Sequence, residues 1–386
     1  MTELPAHSSL GASGAERWMN CPGSVALIKE LELPDSDEPD YRAEGTAAHE
    51  VAARCLEQDI DAWEAIGTPT ENDVEVTSEM AEAVQVYLDE CRSLIGDASR
   101  IYIEHKMFEP DFHDSFFGTV DFAILTVEGD EIVLDVNDYK HGVGVVVEAH
   151  WNPQIMYYAY GILLRHPDVT KVRMRIVQPR GFHPEGPIRL FELDAETLRK
   201  WATGTLRPAM IRAEVDSHLD AGDHCRFCPA KIVCPLLTSV FRAMATHDPK
   251  EEIKTTDQSL GQLYKLIPAA KHFQKALEGE VFRRLTSGLE VAYTKLVYKK
   301  ANRIYKPGAE AVMKENFAAD AFTKPELKSP AEIEKLGNGA KVLIKEWAYT
   351  PESGLTVALE SDKRVGVKVQ STADTFAKAN LGGTDD

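Results

Sequence analysis

The chain has 386 residues, 44% of them hydrophobic, which is enough for two domains or for one large core with additions. Its formal charge of −19 argues against a protein that coats nucleic acid unselectively, because phosphate contacts need Lys and Arg. The charge does not exclude a DNA enzyme, since a local groove or bound divalent cations can reverse the field.

The first residues, MTELPAHSSLGASGAERW, contain no basic segment followed by an apolar one, so we expect no secretory signal. No apolar run approaches the ~20 residues that are needed to cross a bilayer. Together these features predict a cytoplasmic protein without a membrane association.

Helical patterns fill the N-terminal part of the chain. Residues 14–20, 44–58 and 76–95 consist of good helix formers or have amphipathic spacing. Thr46 is the expected cap of the second helix. The acidic cluster at residues 29–40 predicts a solvated loop between the first two helices.

A period-two pattern then takes over. It predicts strands at residues 101–108, 116–127, 131–140, 171–178 and 187–194. Asn152 and Pro153 are typical of a helix start and open a helix between the third and fourth strands, and another helix follows the fifth strand over residues 195–215. This order predicts an α/β fold with a central mixed sheet flanked by helices.

The pattern weakens beyond residue 240. We expect a helix near 257–287, then short strands and loops, with a disordered end at 380–386. The basic cluster at 295–306 predicts a strand or hairpin that either is plain solvated surface or contacts DNA. The chain is therefore divided into a core over residues 1–240 and a C-terminal helical and strand extension, 241–386, of unknown role.

Two acidic residues lie in neighbouring predicted strands, one inside its strand and the other near the end of the next. Asp121 lies in a strand that is apolar on both faces, and Asp138 follows the alternating aliphatics of the next strand. Two carboxylates about 4 Å apart repel by roughly 4 kcal/mol at an effective dielectric near 20. A buried site tolerates this repulsion by protonating one acid or by binding a cation, and oxygen ligands on a rigid sheet suit Mg²⁺ or Mn²⁺.

Lys140 shares the strand face of Asp138 and is a candidate catalytic residue. Its ammonium group can orient or help to deprotonate an attacking water, and it can neutralise charge on a phosphoryl transition state. The alternative is a surface ion pair between Asp138 and Lys140 at a strand end. Asp135 and Asn137 lie on the opposite strand face, and we predict that Asp135 is not a ligand.

The order of several short motifs resembles the RecB-like branch of the PD-(D/E)XK nuclease superfamily. The motifs are G-x-x-D at Gly118 to Asp121, D-Y-K-x-G at Asp138 to Gly142, Q-x-x-x-Y at Gln154 and Tyr158, and G-T-x-x-H at Gly45 to His49. The resemblance covers roughly residues 15–237. It implies a restriction-endonuclease-like core within the mixed sheet. Unaided by this resemblance, His49 is more simply interpreted as a buried structural histidine.

The resemblance also implies roles for individual residues. Asp121, Asp138, His49 and the main-chain carbonyl of Tyr139 would bind the divalent metal, and Lys140 would be the catalytic lysine. Gln154 and Tyr158, one helical turn apart, would contact DNA or support the site. Glu104 matches the family's early glutamate and is a further catalytic candidate.

Three of the six cysteines form a C-x-x-C-x5-C pattern, and a fourth lies about two hundred residues earlier. They are Cys21, Cys225, Cys228 and Cys234. Disulfides are rare in the cytosol, so a metal is expected: zinc on four thiolates, or on three with His224, is one alternative. The arrangement resembles that of AddB and the CRISPR-associated exonucleases, which implies a [4Fe–4S] cluster and a helical region held by it. Cys55 and Cys91 are predicted core residues.

These patterns predict a metal-dependent nuclease, and the resemblance implies a DNA exonuclease that acts on linear ends in phage or bacterial recombination or repair. A phage single-strand annealing or binding protein is a plausible partner by analogy. Two alternatives remain: a non-cutting DNA-binding or assembly subunit with the same fold and cluster, and a zinc-stabilised hydrolase of another phosphoester such as RNA. The oligomeric state is not predicted.

Overall fold

The computed structural model describes residues 8–33, 39–96, 98–245, 261 and 264–294. The helix expected near 257–287 is found over Ile267–Thr286, whereas the expected strand or hairpin at 295–306 and all that follows it lie outside these residues. The chain divides into two compact units, Met1–Ser287 and Gly288–Asp386. The core boundary that the sequence places at residue 240 stays a prediction.

A five-stranded sheet forms the centre of the first unit. Its strands are β1 (Ala98–Phe108), β2 (Phe117–Glu128), β3 (Glu131–Tyr139), β4 (Lys171–Val177) and β5 (Ile188–Asp194). They are ordered β1-β2-β3-β4-β5. Only the β3–β4 pair is parallel, and the other three pairs are antiparallel. The predicted mixed sheet is confirmed, with each strand within three residues of its expected bounds.

Helices surround the sheet. They are α1 (Ala15–Asn20), α2 (Gly23–Glu30), α3 (Pro39–Gln58), α4 (Ser78–Ile95), α5 (Pro153–Arg165), α6 (Ala195–Trp201), α7 (Arg207–Val215), α8 (Pro235–Ala245) and α9 (Ile267–Thr286). A π-helical segment, Ala202–Leu206, joins α6 to α7. Within the described ranges, no helix has both the length and the hydropathy that a membrane crossing requires.

The helix caps test two of the sequence predictions. Asn152 caps α5 as expected: its side-chain oxygen accepts hydrogen bonds from the backbone amides of Gln154 and Ile155, at 2.9 and 3.4 Å. The prediction for Thr46 is wrong, because α3 begins at Pro39 and Thr46 lies in the helix interior. Good helix formers on both sides of Gly45 carry the helix through the expected start.

Each face of the sheet packs against a separate layer of helices. Leu134 and Val136 of β3 share one core with α5, α1 and the α6–α7 segment. Phe122 and Ile124 of β2 share the other core with α3 and α4. Because both faces are covered, polar groups at the ends of β2 and β3 are removed from solvent unless a gap between the helices exposes them.

A close backbone contact joins the start of α2 to a segment nearly two hundred residues later. The amide of Gly23 donates a 2.8 Å hydrogen bond to the carbonyl of His218. A Cβ at Gly23 would lie 2.3 Å from the carbonyl oxygen of Ser217, which is closer than real Cβ contacts. Only glycine therefore permits this approach, which brings Cys21 beside the segment that carries the other three clustered cysteines.

We predict that Gly23→Ala lowers the free energy of unfolding by about 1–3 kcal/mol, because an added methyl group forces two backbone segments apart. Urea unfolding followed by far-UV circular dichroism measures the change. Gly279→Ala is the matched control: Gly279 lies within α9, and a Cβ there would meet no atom within 4 Å beyond the adjoining helix backbone, so alanine is neutral or slightly stabilising. Equal stability of the two variants would contradict the prediction.

Candidate functional site

Asp121 and Asp138 lie side by side on adjacent strands. The last pair of the β2–β3 ladder is Phe122 with Asn137, so the next position sets Asp121 opposite Asp138. The backbone amide of Tyr139 donates a 2.8 Å hydrogen bond to Asp121 Oδ2. This bond fixes the Asp121 carboxylate across the end of the ladder and leaves its other oxygen available.

Glu104 occupies the same level on the third strand. The β1–β2 ladder continues on both sides of Glu104 but skips it, which places Glu104 opposite Asp121. Its φ of 42° lies in the left-handed region, which is unfavourable for a residue with a Cβ. Strained backbone of this kind is concentrated at functional sites. One carboxylate from each of three neighbouring strands thus lies along a single line across the sheet.

His49 reaches this line from α3. Its Nδ1 lies 3.5 Å from Asp121 Oδ1 and 3.7 Å from Glu104 Oε1. The ligand atoms of the three residues lie within 4.8 Å of one another, a spacing that suits a single metal ion. The sequence assigned His49 and Asp121 to the metal, and the structure adds Glu104 to them as the second acid of the group.

The charge balance of this triad is set by its two acids. Burial alone would lower the pKa of His49, but the Asp121 charge and the Glu104 carboxylate raise the pKa to about 9. Burial raises the pKa of the Asp121 carboxyl, against the opposing charges of His49 and Lys140. At neutral pH and without metal, the imidazolium ion therefore takes the position of a cation between the two acids.

Asp138 turns from the triad towards Lys140. The Lys140 ammonium lies 2.7 Å from Asp138 Oδ2, a charge-assisted contact between a partly exposed ammonium and a buried carboxylate. Burial raises the pKa of the Asp138 carboxyl, and the nearby Asp121 charge adds to this, although Lys140 opposes the change. The contact is an ion pair, as the simpler interpretation of the sequence proposed, but the acid is buried and it interacts with the triad.

Asp135 has a separate structural role. Its buried carboxylate accepts a hydrogen bond from the Arg175 guanidinium, and Arg175 also pairs with Glu90 of α4 at 3.1 Å. Asn137 donates to the sulfur of Cys91 at 3.5 Å. These contacts lie on the α4 side of β3, where arginine neutralises Asp135, whereas Asn137 Oδ1 is buried without a hydrogen-bond partner among the described residues.

Tyr158 and Gln154 border the acids from α5. Burial raises the pKa of Tyr158 well above its usual range, reinforced by the charges of Asp121 and Asp138, and the Gln154 side chain hydrogen-bonds to Tyr158. A Cβ at Gly118 would lie 3.3 Å from the Tyr158 ring, so glycine there allows the ring to approach β2. The structure thus brings the predicted Q-x-x-x-Y pair to the acids.

A partly buried network, which the sequence did not predict, supports the site. His141 Nδ1 lies 2.8 Å from the hydroxyl of Tyr139, while its Nε2 lies 2.7 Å from Arg180 Nη1 and 3.1 Å from Glu44 Oε1. Arginine only donates and a carboxylate only accepts, so Nε2 accepts from Arg180 when Nδ1 carries the proton and donates to Glu44 when Nε2 carries it. The Tyr139 ring in turn contacts His49 edge-on, with centroids 5.3 Å apart.

This network positions α3, the helix that carries His49. Glu44 lies on α3 one and a half turns before His49, and Arg180 holds it with a 2.8 Å contact. The helix that carries His49 is therefore fixed to the end of β3. No short-range sequence signal marks the network, because its members come from three distant segments. The backbone amide of Tyr139 contacts Asp121, and the ligand role of its carbonyl stays a prediction.

The donor set fits a hard divalent cation. Two carboxylates and one imidazole provide oxygen and nitrogen ligands, while Asp138, which pairs with Lys140, lies outside this group. Oxygen-rich sets with several carboxylates suit Mg²⁺ and Mn²⁺. His49 must lose its proton to act as a ligand, so cation binding and proton release are linked.

A second cluster surrounds a small cavity between α1, α2 and residues 219–237. The cavity has a volume of about 10 Å³, and its lining includes all four predicted ligands, Cys21, Cys225, Cys228 and Cys234. Arg17 and Lys231 also line it, and they supply two positive charges that favour thiolates. Burial raises the pKa of Cys225 to about 11 and raises the pKa of Cys21 and Cys228 as well.

The spacing of these sulfur atoms differs from that of the triad. Among the described residues, no three of the cysteine sulfurs lie within 4.8 Å of one another, as the triad atoms do. A single zinc ion with bonds of about 2.3 Å holds its sulfur ligands about 4 Å apart. His224 also lines the cavity, but its ring nitrogen lies 2.9 Å from the carbonyl oxygen of Asp220. Cys55 and Cys91 are fully buried in the core, as predicted.

We predict that His49 titrates near pH 9 in metal-free protein, measured by NMR of labelled imidazole rings in EDTA. Glu104→Gln should lower this pKa, because it removes one of the two acids. Since the folded pKa exceeds the usual 6.5, the linked stabilisation is complete below pH 6.5 and is lost as pH rises through 9. His105 serves as an internal control, because burial lowers its pKa. A His49 pKa at or below 6.5 would exclude the triad geometry.

The wider chain has a family assignment. Residues 7–365 match a family described as "Protein of unknown function (DUF2800)". The match spans the three acids, His49, Lys140 and the four clustered cysteines, so both candidate centres lie inside the family's extent. Because more than nine-tenths of the sequence is matched, the chain belongs to the DUF2800 family.

Proposed function

We propose that the protein is a divalent-metal-dependent deoxyribonuclease that acts as an exonuclease on linear DNA. One observation carries the proposal: three carboxylates from adjacent strands align beside an imidazole and a lysine ammonium. Buried like charges are retained in this way where a cation neutralises them. The resemblance to RecB-like nucleases, with their restriction-endonuclease-like core, supports the same conclusion but is an analogy.

His49, Glu104 and Asp121 would hold the metal, with Asp138 as a further ligand once it turns from Lys140. Mg²⁺ or Mn²⁺ at this position acidifies water and polarises a phosphoryl oxygen. The Tyr139 amide keeps Asp121 directed at the site through its 2.8 Å hydrogen bond. The network of His141 and Arg180 holds α3, and with it His49, at a constant distance from the sheet.

Lys140 and α5 provide the remaining functions. The Lys140 side chain is partly exposed while its partner Asp138 is buried, so the ammonium can contact substrate at the surface of the site. There it orients the attacking water and offsets negative charge on the phosphoryl group. Gln154 and Tyr158 lie on the other side of the acids and position the DNA backbone.

We also propose that the four clustered cysteines hold a [4Fe–4S] cluster with a structural role. The donor set is appropriate, since thiolates are the ligands of such clusters and two cations border the cavity. Four cysteines that surround one cavity, with their sulfurs spaced more widely than the triad atoms, suit a polynuclear centre, whose ligands are spread more widely than those of one zinc ion. A link from residue 21 to residue 225 restricts the unfolded chain by a few kcal/mol in the loop-entropy model.

The nuclease proposal predicts that the protein with Mn²⁺ degrades linear duplex DNA and leaves closed circular DNA intact. Lys140→Ala should slow degradation by about 10²–10³-fold, because it removes a positive charge from the transition state. Lys171→Ala is the matched control: Lys171 belongs to the same sheet, is similarly exposed and pairs with Glu131 at 3.2 Å.

Labelled linear and circular substrates, separated on denaturing gels, provide the measurement. Full activity of Lys140→Ala would exclude the assigned role of the lysine. If the wild-type protein binds Mn²⁺ in calorimetry but cuts neither substrate, the hydrolytic proposal fails, and a DNA-binding or assembly subunit replaces it.

The cluster proposal predicts that protein purified without oxygen is brown and contains about four iron atoms per chain. Cys21→Ser should remove the visible absorption and lower the melting temperature, because the link between distant segments is lost. Cys55→Ala, which changes a buried cysteine outside the cavity, should keep its colour. Colourless wild-type protein with one zinc per chain would overturn the cluster and leave the nuclease proposal intact.

A further inference from the structure

An open groove lies on the α5 side of the sheet, among α1, the residues before α5 and the α6–α7 segment. Its volume is about 580 Å³, and two tryptophans, Trp151 and Trp201, form part of its lining. This volume is within the range of about 300–1,000 Å³ that is usual for small-molecule sites, so the groove admits one or two nucleotides rather than a duplex.

Trp151 is held exposed in an unfavourable conformation. Its side chain is 48% exposed, and its φ of 51° lies in the left-handed region. The ring is supported on one side by Phe191, with centroids 5.4 Å apart, and by His150 at 6.3 Å. A large aromatic ring that is both strained and presented to solvent indicates a binding function more than a packing function.

The opposite wall of the groove is also irregular. The π-helical segment Ala202–Leu206 interrupts the helix there, and such segments are rare and frequent at functional sites. It begins directly after Trp201 and leaves Gly204 and Thr205 exposed along the groove. Two unusual backbone features, from distant parts of the chain, therefore meet at one cavity.

The groove lies at the same end of the sheet as the acids. The helix α5 connects the parallel strands β3 and β4, so its N-terminus lies where β3 ends, beside Asp138. Pro153 lines the groove, and the next residue, Gln154, hydrogen-bonds to Tyr158 near the acids. A DNA strand that runs from the acids along the N-terminus of α5 would therefore enter the groove directly.

The charges of the groove favour stacking over phosphate attraction. Arg212 is exposed there, and one of its guanidinium nitrogens donates to the carbonyl of Met19 at 2.7 Å. Glu16 provides one opposing negative charge. Because the charges of Arg212 and Glu16 balance, the tryptophan rings would be the main source of affinity for a nucleic acid. The Arg212 guanidinium would contact at most about one phosphate.

We propose that this groove binds the single-stranded end of the DNA substrate, with nucleobases stacked on Trp151 and Trp201. The inference rests on the proposed nuclease function and names the substrate form that the site takes. Stacking is sequence-tolerant, since every base offers a π face, and it needs little positive charge. Asn20 and Thr205 provide polar contacts to sugars and base edges along the groove.

The test is binding of a short fluorescein-labelled oligothymidylate in EDTA, followed by polarisation, so that no hydrolysis occurs. Trp151→Ala should weaken binding about 5- to 150-fold, and Trp151→Phe should retain most of the affinity. The matched control is Trp63→Ala, because Trp63 is also 48% exposed and lies in the Ala62–Ala65 turn on the α4 side. Trp151→Gly, which relieves the left-handed backbone, replaces the alanine variant if that variant unfolds.

The possible results separate the two proposals. Unchanged binding by Trp151→Ala and Trp201→Ala, equal losses in Trp63→Ala, or a preference for blunt duplex that is insensitive to Trp151 would each overturn the groove assignment. The nuclease proposal survives those results if linear DNA is still degraded. Conversely, Trp151-dependent binding by a protein that cuts no DNA supports the groove and removes the nuclease proposal.

Discussion

The alignment of three carboxylates across β1, β2 and β3 is the constraint on which the site depends. Glu104, Asp121 and Asp138 come from three separate strands, and only the register of two antiparallel ladders brings them to one level. In the metal-free state, their mutual repulsion is offset by two cations, the His49 imidazolium and the Lys140 ammonium. The site therefore holds positive charge without a metal. In the function that we propose, a divalent ion would replace the proton on His49 and Lys140 would turn towards substrate.

The fold was largely predictable because its signals are local. Alternating aliphatics identified all five strands, and Asn152 with Pro153 marked the start of α5. The cap at Thr46 was wrong because good helix formers on both sides of Gly45 extend α3 by about two turns beyond the expected start. The π-helical segment at Ala202–Leu206 was missed because the helix formers on either side of it predict one continuous helix.

The site was predictable only in part. Motif order identified Asp121, Asp138, Lys140 and His49, but not that Glu104 lies closer than Asp138 to the imidazole. The backbone at Glu104 is irregular, with a φ of 42°, and its residue type does not predict such a conformation. The network of Glu44, His141 and Arg180 was missed for another reason: its members are far apart in the chain, and each is an ordinary surface residue by type.

The short helix α1 lies between the cysteine cavity and the groove that contains Trp151 and Trp201. Arg17 and, just past its end, Cys21 line the cysteine cavity, whereas Glu16, Met19 and Asn20 line the groove. A helix of six residues is too short to bend, so it moves as one body. Any rearrangement of Cys21, on metal loading or oxidation, would shift a wall of the groove at the same time. The two compartments are thus mechanically joined through less than two turns of helix.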